Sequence, residues 1–135
     1  GRINMAETKT VLVNDGGAPA RIINFTAAAA ISAGEGLDID SNAKVALATD
    51  GTLPIAGVAL VDAASGDLCS VITGSGYIAN LICETVSKGD NLMVDTSGTA
   101  GALDTAGSND TDRVVAMALE AQAASGGTLT KCLVL

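Results

Sequence analysis

The stretch from Pro54 to Ile82, PIAGVALVDAASGDLCSVITGSGYIANLI, is what most limits the folds open to this chain. It reads as three short apolar strands. The small-residue turn at Asp62–Asp67 separates the first two, and Gly74-Ser75-Gly76 separates the second from the third. Val58, Leu60, Leu68, Val71, Ile72, Ile78, Leu81 and Ile82 are the β-branched and aliphatic residues that suit a pleated, half-buried surface. Glycine and serine fall where tight turns need unusual backbone angles. Ile55 to Val61 is apolar throughout rather than alternating, which predicts a strand covered on both faces.

Two echoes of this stretch extend the argument to the rest of the chain. Ser32-Ala33-Gly34-Glu35-Gly36-Leu37-Asp38-Ile39 resembles Ser87-Lys88-Gly89-Asp90-Asn91-Leu92-Met93-Val94, and Ser65-Gly66-Asp67-Leu68-Cys69-Ser70-Val71 is a near relative. Each is a glycine turn with an adjacent acid, leading into alternating aliphatics. The glycine supplies the left-handed backbone, and the acid accepts local N–H bonds. Ile55 to Leu68 likewise matches Val114 to Leu129, which runs on into a closing strand through Leu135. Two similar hairpins predict an all-β fold, a compact β-barrel or sandwich-like domain with pseudo-repeated halves.

The first residues are organised differently. Thr8, Thr10, Val11 and Val13 give a mild strand signal, and Asn14-Asp15-Gly16-Gly17-Ala18-Pro19 then breaks the chain strongly. Residues 1–19 are therefore expected to form an N-terminal arm, and residues 20–135 a single β-rich domain. Gly1-Arg2-Ile3-Asn4 precedes Met5 and reads as an expression scar or an upstream remnant, with Met5 as the natural start. Ala20 to Phe25 is a second extended piece, either an ordinary edge strand or a docking segment. Ala27 to Ala30 is too short to nucleate a helix and reads as extended or loop. Asp95 to Asp112, rich in Gly, Thr, Ser and Asp, reads as a loop.

Charge and composition exclude several functions. The formal net charge is −8, with 7 basic residues against 15 acids, so a nucleic-acid backbone has few cations to meet. The chain is 48% hydrophobic but 1% aromatic, so its core must be aliphatic and it offers no stacking platform for bases or sugars. A small, weakly charged, apolar chain often buries surface in a partner, which predicts a homo-oligomer. No run approaches the roughly 18 apolar residues of a membrane helix, and no membrane partner is expected. Cys69, Cys83 and Cys132 each sit among aliphatics and read as buried free thiols.

Catalytic and metal chemistry find no footing. With no histidine, any mechanism built on imidazole is excluded. Ser87-Lys88 lies in a turn where a solvated lysine is expected, and Gly74-x-Gly76 lacks the third glycine of a dinucleotide loop. Asp38-x-Asp40-x-Asn42 opens like a calcium loop, but Ala43 stands where its turn glycine belongs and Thr49 where its bidentate glutamate belongs. Asp104, Asp110 and Asp112 could share an ion, although solvated turn acids account for them. No enzyme activity, cofactor or metal is expected.

With the arm, the repeated glycine–acid turns and the series Gly57-Val58-Ala59-Leu60, Ala64-Ser65-Gly66-Asp67, Val71 and Gly74 in view, the chain from about Ala20 to Leu135 resembles the small capsid decoration, or cement, proteins of tailed bacteriophages. That resemblance implies a compact β-barrel-like structural protein, usually trimeric. It would be made in the host cytoplasm and would stabilise an icosahedral shell by binding the major capsid protein on its outer surface, with an N-terminal arm reaching over neighbouring subunits. The residues expected to touch the shell are Lys9, Val11, Val13, Arg21, Ile22, Ile23 and Phe25. The rival reading is a β-rich carbohydrate- or cell-surface-binding module of a virion.

Overall fold

A computed structural model of the chain describes residues 11–14, 20–96, 98–107, 112–124 and 127–135. These residues form eleven strands and no helix. After β1 (Leu12–Asn14), the strands fall into two sets that repeat one pairing scheme. The first set is β2 (Ala20–Ala27), β3 (Gly36–Ile39), β4 (Lys44–Leu47), β5 (Gly57–Ala59) and β6 (Leu68–Gly74), which close a barrel in the order β2-β4-β3-β5-β6. Within it β2 and β4 run parallel, and the other pairs are antiparallel. The second set is β7 (Ile78–Cys83), β8 (Asn91–Val94), β9 (Leu103–Thr105), β10 (Ala116–Ala118) and β11 (Thr128–Val134). Here β7 pairs with β11, β11 with β10, β10 with β8 and β8 with β9, all antiparallel. A parallel contact of β9 with β7 at Leu103 and Cys83 brings the sheet back on itself.

The repeat extends to single hydrogen bonds. The Gly34 N–H donates to the Ala59 carbonyl at 2.8 Å, as Gly89 does to Ala118 at 2.7 Å. Ala28 donates to Val45 at 2.7 Å, as Glu84 does to Leu103 at 2.8 Å. The isolated bridge of Ile31 with Ala63 has its counterpart in Val86 with Gln122. The glycine–acid turns work as their sequence implies. Gly34 and Gly89 have φ of 88° and 84°, and the carboxylates of Glu35 and Asp90 accept the N–H of Ser32 at 2.7 Å and of Ser87 at 2.9 Å.

Aliphatic side chains of modest size fill the interior, since none but Tyr77 among the largest fully buried residues is aromatic. Leu37, Val45, Ala59, Cys69 and Val71 pack inside the first barrel. Leu81, Leu92, Leu103, Ala116 and Cys132 belong to a larger cluster that also takes in Val58 and Ile72 from the first barrel, so one core spans the two halves. Each fully buried aliphatic side chain of this size contributes about 1.5–3 kcal/mol.

Two local readings are revised. Asp95 to Asp112 is not loop throughout, because Leu103–Thr105 forms β9; Leu103 is buried and the strand is held by β8. The segment that opens like a calcium loop is instead a hairpin turn between β3 and β4, in which Asn42 and Ala43 both take positive φ, 57° and 61°, and the Lys44 N–H closes on the Ser41 carbonyl. Such a turn favours Asn-Gly, and an alanine there costs about 1–2 kcal/mol. Glycine at this position loses about 0.5–1 kcal/mol of that gain to extra freedom in the unfolded chain. Ala43→Gly is therefore expected to raise the thermal midpoint by a few degrees in a calorimetric scan.

Candidate functional site

β2 and β6 pair along their whole length, from Ala20 with Gly74 to Thr26 with Leu68. On its other side β2 meets β4 only at Thr26 and Ala27. The strand therefore projects beyond the barrel wall, and Arg21, Ile22, Ile23 and Asn24 are all exposed, on both faces of the strand. Ile22 keeps 52% and Ile23 44% of their surface open to solvent, values that set them apart from the buried aliphatics around them. The projecting ribbon is braced by side chains: the Ser70 hydroxyl donates to the Asn24 amide oxygen at 2.9 Å, and the Thr73 hydroxyl to the Arg21 carbonyl at 3.0 Å.

The ladder also fixes where the backbone of β2 points. The Ala27 N–H donates to the Asp67 carbonyl at 2.8 Å, so the odd-numbered residues of β2 bond toward β6. In an antiparallel pair the intervening residues turn their N–H and C=O outward. The outward groups of Ile22 and Asn24 meet no partner strand among the described residues.

The expected contact residues separate on this frame. Arg21, Ile22 and Ile23 come together on the exposed ribbon. Phe25 is half-buried and packs against the smaller core. Val11, expected at a shell contact, is instead buried in the larger core at 4% exposure, next to β1, which pairs with β7. Its carbonyl accepts the Asn80 N–H at 2.7 Å, so this part of the expected arm is held by the chain itself. Lys9 and the side chain of Val13 lie outside the described residues. Leu68, the most exposed large aliphatic at 66%, sits opposite Thr26 at the base of the ribbon and was not among the expected contacts. Alternation was the signal for it, since Cys69 and Val71 turn inward.

Several of the acids accept N–H groups close by in the chain. Among the described residues no group of three acids and cysteines could hold a metal ion. Asp104 accepts the Thr105 N–H and Asp112 the Gly107 N–H; Asp110 lies outside the described residues. All three cysteines are buried and free. The thiols of Cys83 and Cys132 lie 3.6 Å apart, and that contact together with burial pushes ionisation of Cys132 far up. Burial likewise raises Tyr77, whose hydroxyl donates to the Ile72 carbonyl at 3.3 Å. Burial raises Glu35 above its ordinary value, and Asp62 adds to the effect against the opposing bond from Ser32.

A carboxyl group whose pKa is higher in the folded state stabilises the fold fully below its unfolded pKa. That contribution is lost as pH rises through the folded value. Glu35→Gln keeps an oxygen to accept the Ser32 N–H and removes the charge. It is expected to melt higher than the wild type at pH 7, and the difference should close as pH falls to about 4, below the ordinary glutamate value.

The family model for phage cement protein matches residues 17–134. The solved structure of the head fiber gp8.5 N base in bacteriophage phi29 shares the fold, with a TM-score of 0.65 at 21% identity, over 87% of this chain and 95% of that one. No curated protein matches the chain.

Proposed function

From the premise that the chain belongs to the phage cement protein family, with a structural role at the phage capsid, we propose that it binds the outer surface of the shell as a homotrimer and strengthens contacts between capsid subunits there. The observation that carries the attachment is the projecting ribbon of β2. A strand that exposes Ile22 and Ile23 on opposite faces, in a chain with so few large side chains to spare, is a surface to be covered. Arg21 beside them is a rare cation on a chain of net charge −8 and suits an acidic patch on the shell protein. Leu68, Ile39 and Leu119 are further exposed aliphatics that support burial between copies. The segment before Ala20, Lys9 included, adds to the attachment, with β1 tethering it to β7.

The test is to mix the purified protein with shells that lack it and to measure co-sedimentation. Ile23→Asp is expected to fold with an unchanged circular-dichroism spectrum and to bind about thirtyfold more weakly, the effect of a hot-spot residue. Light scattering of the free protein reads the oligomer. Binding of Ile23→Asp at wild-type affinity would remove the ribbon from the interface, and failure of the wild type to bind would remove the capsid-surface reading itself.

A further inference from the structure

The two halves carry the same four-residue pattern on equivalent strands: Ile22-Ile23-Asn24-Phe25 on β2 and Ile78-Ala79-Asn80-Leu81 on β7. Both strands begin the pairing scheme of their half, and both bond through their odd-numbered residues to the last strand of that half, β2 to β6 and β7 to β11. Their other edges differ. On β7 that edge is occupied by β1, which runs antiparallel to it, and the Asn80 N–H is met by the Val11 carbonyl at 2.7 Å. Beneath that cover Ala79 and Asn80 are buried. On β2 the corresponding edge has no strand among the described residues, and Ile22, Ile23 and Asn24 are exposed. The same slot thus occurs twice in one molecule, once filled and once open.

We propose that the open edge of β2 at Ile22 and Asn24 is a strand-acceptor site for an extended, aliphatic segment of the shell protein. The segment runs antiparallel to β2 as Val11–Asn14 does to β7; the proposal rests on the attachment to the shell set out above. The filled slot shows what fits: a short β-forming segment whose carbonyl meets the asparagine N–H while a branched side chain tucks under it. Main-chain bonds along such an edge supply affinity whatever the partner's sequence, and the alternating side chains supply fit. A second copy of this chain is a poor donor, because its own Val11–Asn14 is already seated with Val11 in the core. Arg21, exposed at the start of the strand, favours a segment that carries an acid near its end.

The experiment reads the two amides directly. Hydrogen exchange at Ile22 and Asn24 is followed for the free protein and for the protein bound to shells, where both amides should slow by about tenfold or more. Ile22→Pro removes an outward N–H at an edge position that tolerates proline, and Ile22→Val keeps both the N–H and the branched side chain. The proline variant should bind shells about tenfold more weakly than the valine variant, as expected for one main-chain hydrogen bond lost at an interface. If Ile22→Pro does not fold, the exchange measurement on the wild type decides. Bound protein with unchanged exchange at both amides, or equal binding of the two variants, overturns strand addition and leaves attachment to the shell standing. Slow exchange that already appears in the free protein and grows with its concentration gives the slot to a second copy and overturns the choice of occupant. A wild type that does not bind shells removes attachment and this site together.

Discussion

A chain beginning at Ala27 is expected not to close its first barrel. β2 supplies the full-length partner of β6, seven register pairs from Ala20 with Gly74 to Thr26 with Leu68. It also joins β6 to β4 and so completes the ring. Without it, the N–H and C=O groups of Cys69, Val71 and Thr73 that face β2 lose their bonds, and Cys69 and Val71, fully buried in the intact protein, open to water. Each backbone bond contributes about 0.5–1.5 kcal/mol and each aliphatic burial about 1.5–3 kcal/mol. Six such bonds and two such burials come to about 6–15 kcal/mol, as much as the roughly 5–15 kcal/mol by which a whole domain is stable. The expected circular dichroism is a loss of much of the β signal and of any cooperative melt. A cooperative transition at the wild-type temperature would show that β2 is an accessory to the barrel. It would also reassign Ala20 to Phe25 from the wall to a detachable docking piece.

Gly57→Ala should be nearly as damaging. Gly57 opens β5 hard against β6, and a Cβ added there would stand 2.5 Å from the Ile72 carbonyl oxygen and 2.5 Å from a methyl of Val71. Ile72 and Val71 are fully buried, and Ile72 pairs with Val58, so the carbonyl cannot retreat without breaking the ladder between β5 and β6. Overpacking of a tight core costs about 1–3 kcal/mol for added methylenes, and contact with a fixed backbone oxygen lies at the top of that range or above it. An unfolding midpoint in urea lowered by more than a third, with an unchanged slope, is the expected result if the loss is about 4 kcal/mol out of a typical domain stability. Gly66→Ala makes a useful contrast. No atom lies within 4 Å of a Cβ there, so its cost comes from the φ of 90° alone.

Much of the architecture was legible because this chain repeats itself in the clear. The glycine–acid turns at Gly34 and Gly89, and the match of Ile55–Leu68 with Val114–Leu129, make β8 the counterpart of β3 and β10–β11 the counterpart of the β5–β6 hairpin. β9 was hidden for a physical reason: Leu103-Asp104-Thr105 holds one aliphatic in a run of turn residues, and its strand character comes from β8 beside it. The burial of Val11 was hidden too. Its sequence surroundings suit an arm, and only pairing with a strand far along the chain draws it into the core. The candidate site marks the limit of local reading. Ile22-Ile23-Asn24-Phe25 and Ile78-Ala79-Asn80-Leu81 are near copies, yet one is exposed and the other covered, because cover is decided by β1 and not by the four residues themselves.

The pairing scheme also sets an order of events on the ribosome. Every strand of the first barrel has left the exit tunnel soon after Gly74 does, so that half can close while the second is still being translated. β1, although it precedes both sets, lacks its own edge until β7 appears, and β7 is not backed by its long partner until β11 is released. From the closing of the first barrel until β11 emerges, the nascent molecule consists of a finished barrel with an unplaced aliphatic leader. That leader is sticky, since it carries Val11 and Leu12, and it is stowed only once β7 and β11 are in place. Non-local pairing of this kind is slow and leaves unpaired segments open to wrong partners. A chain cut short before Thr128 would stall with its leader unplaced and would join other chains through it.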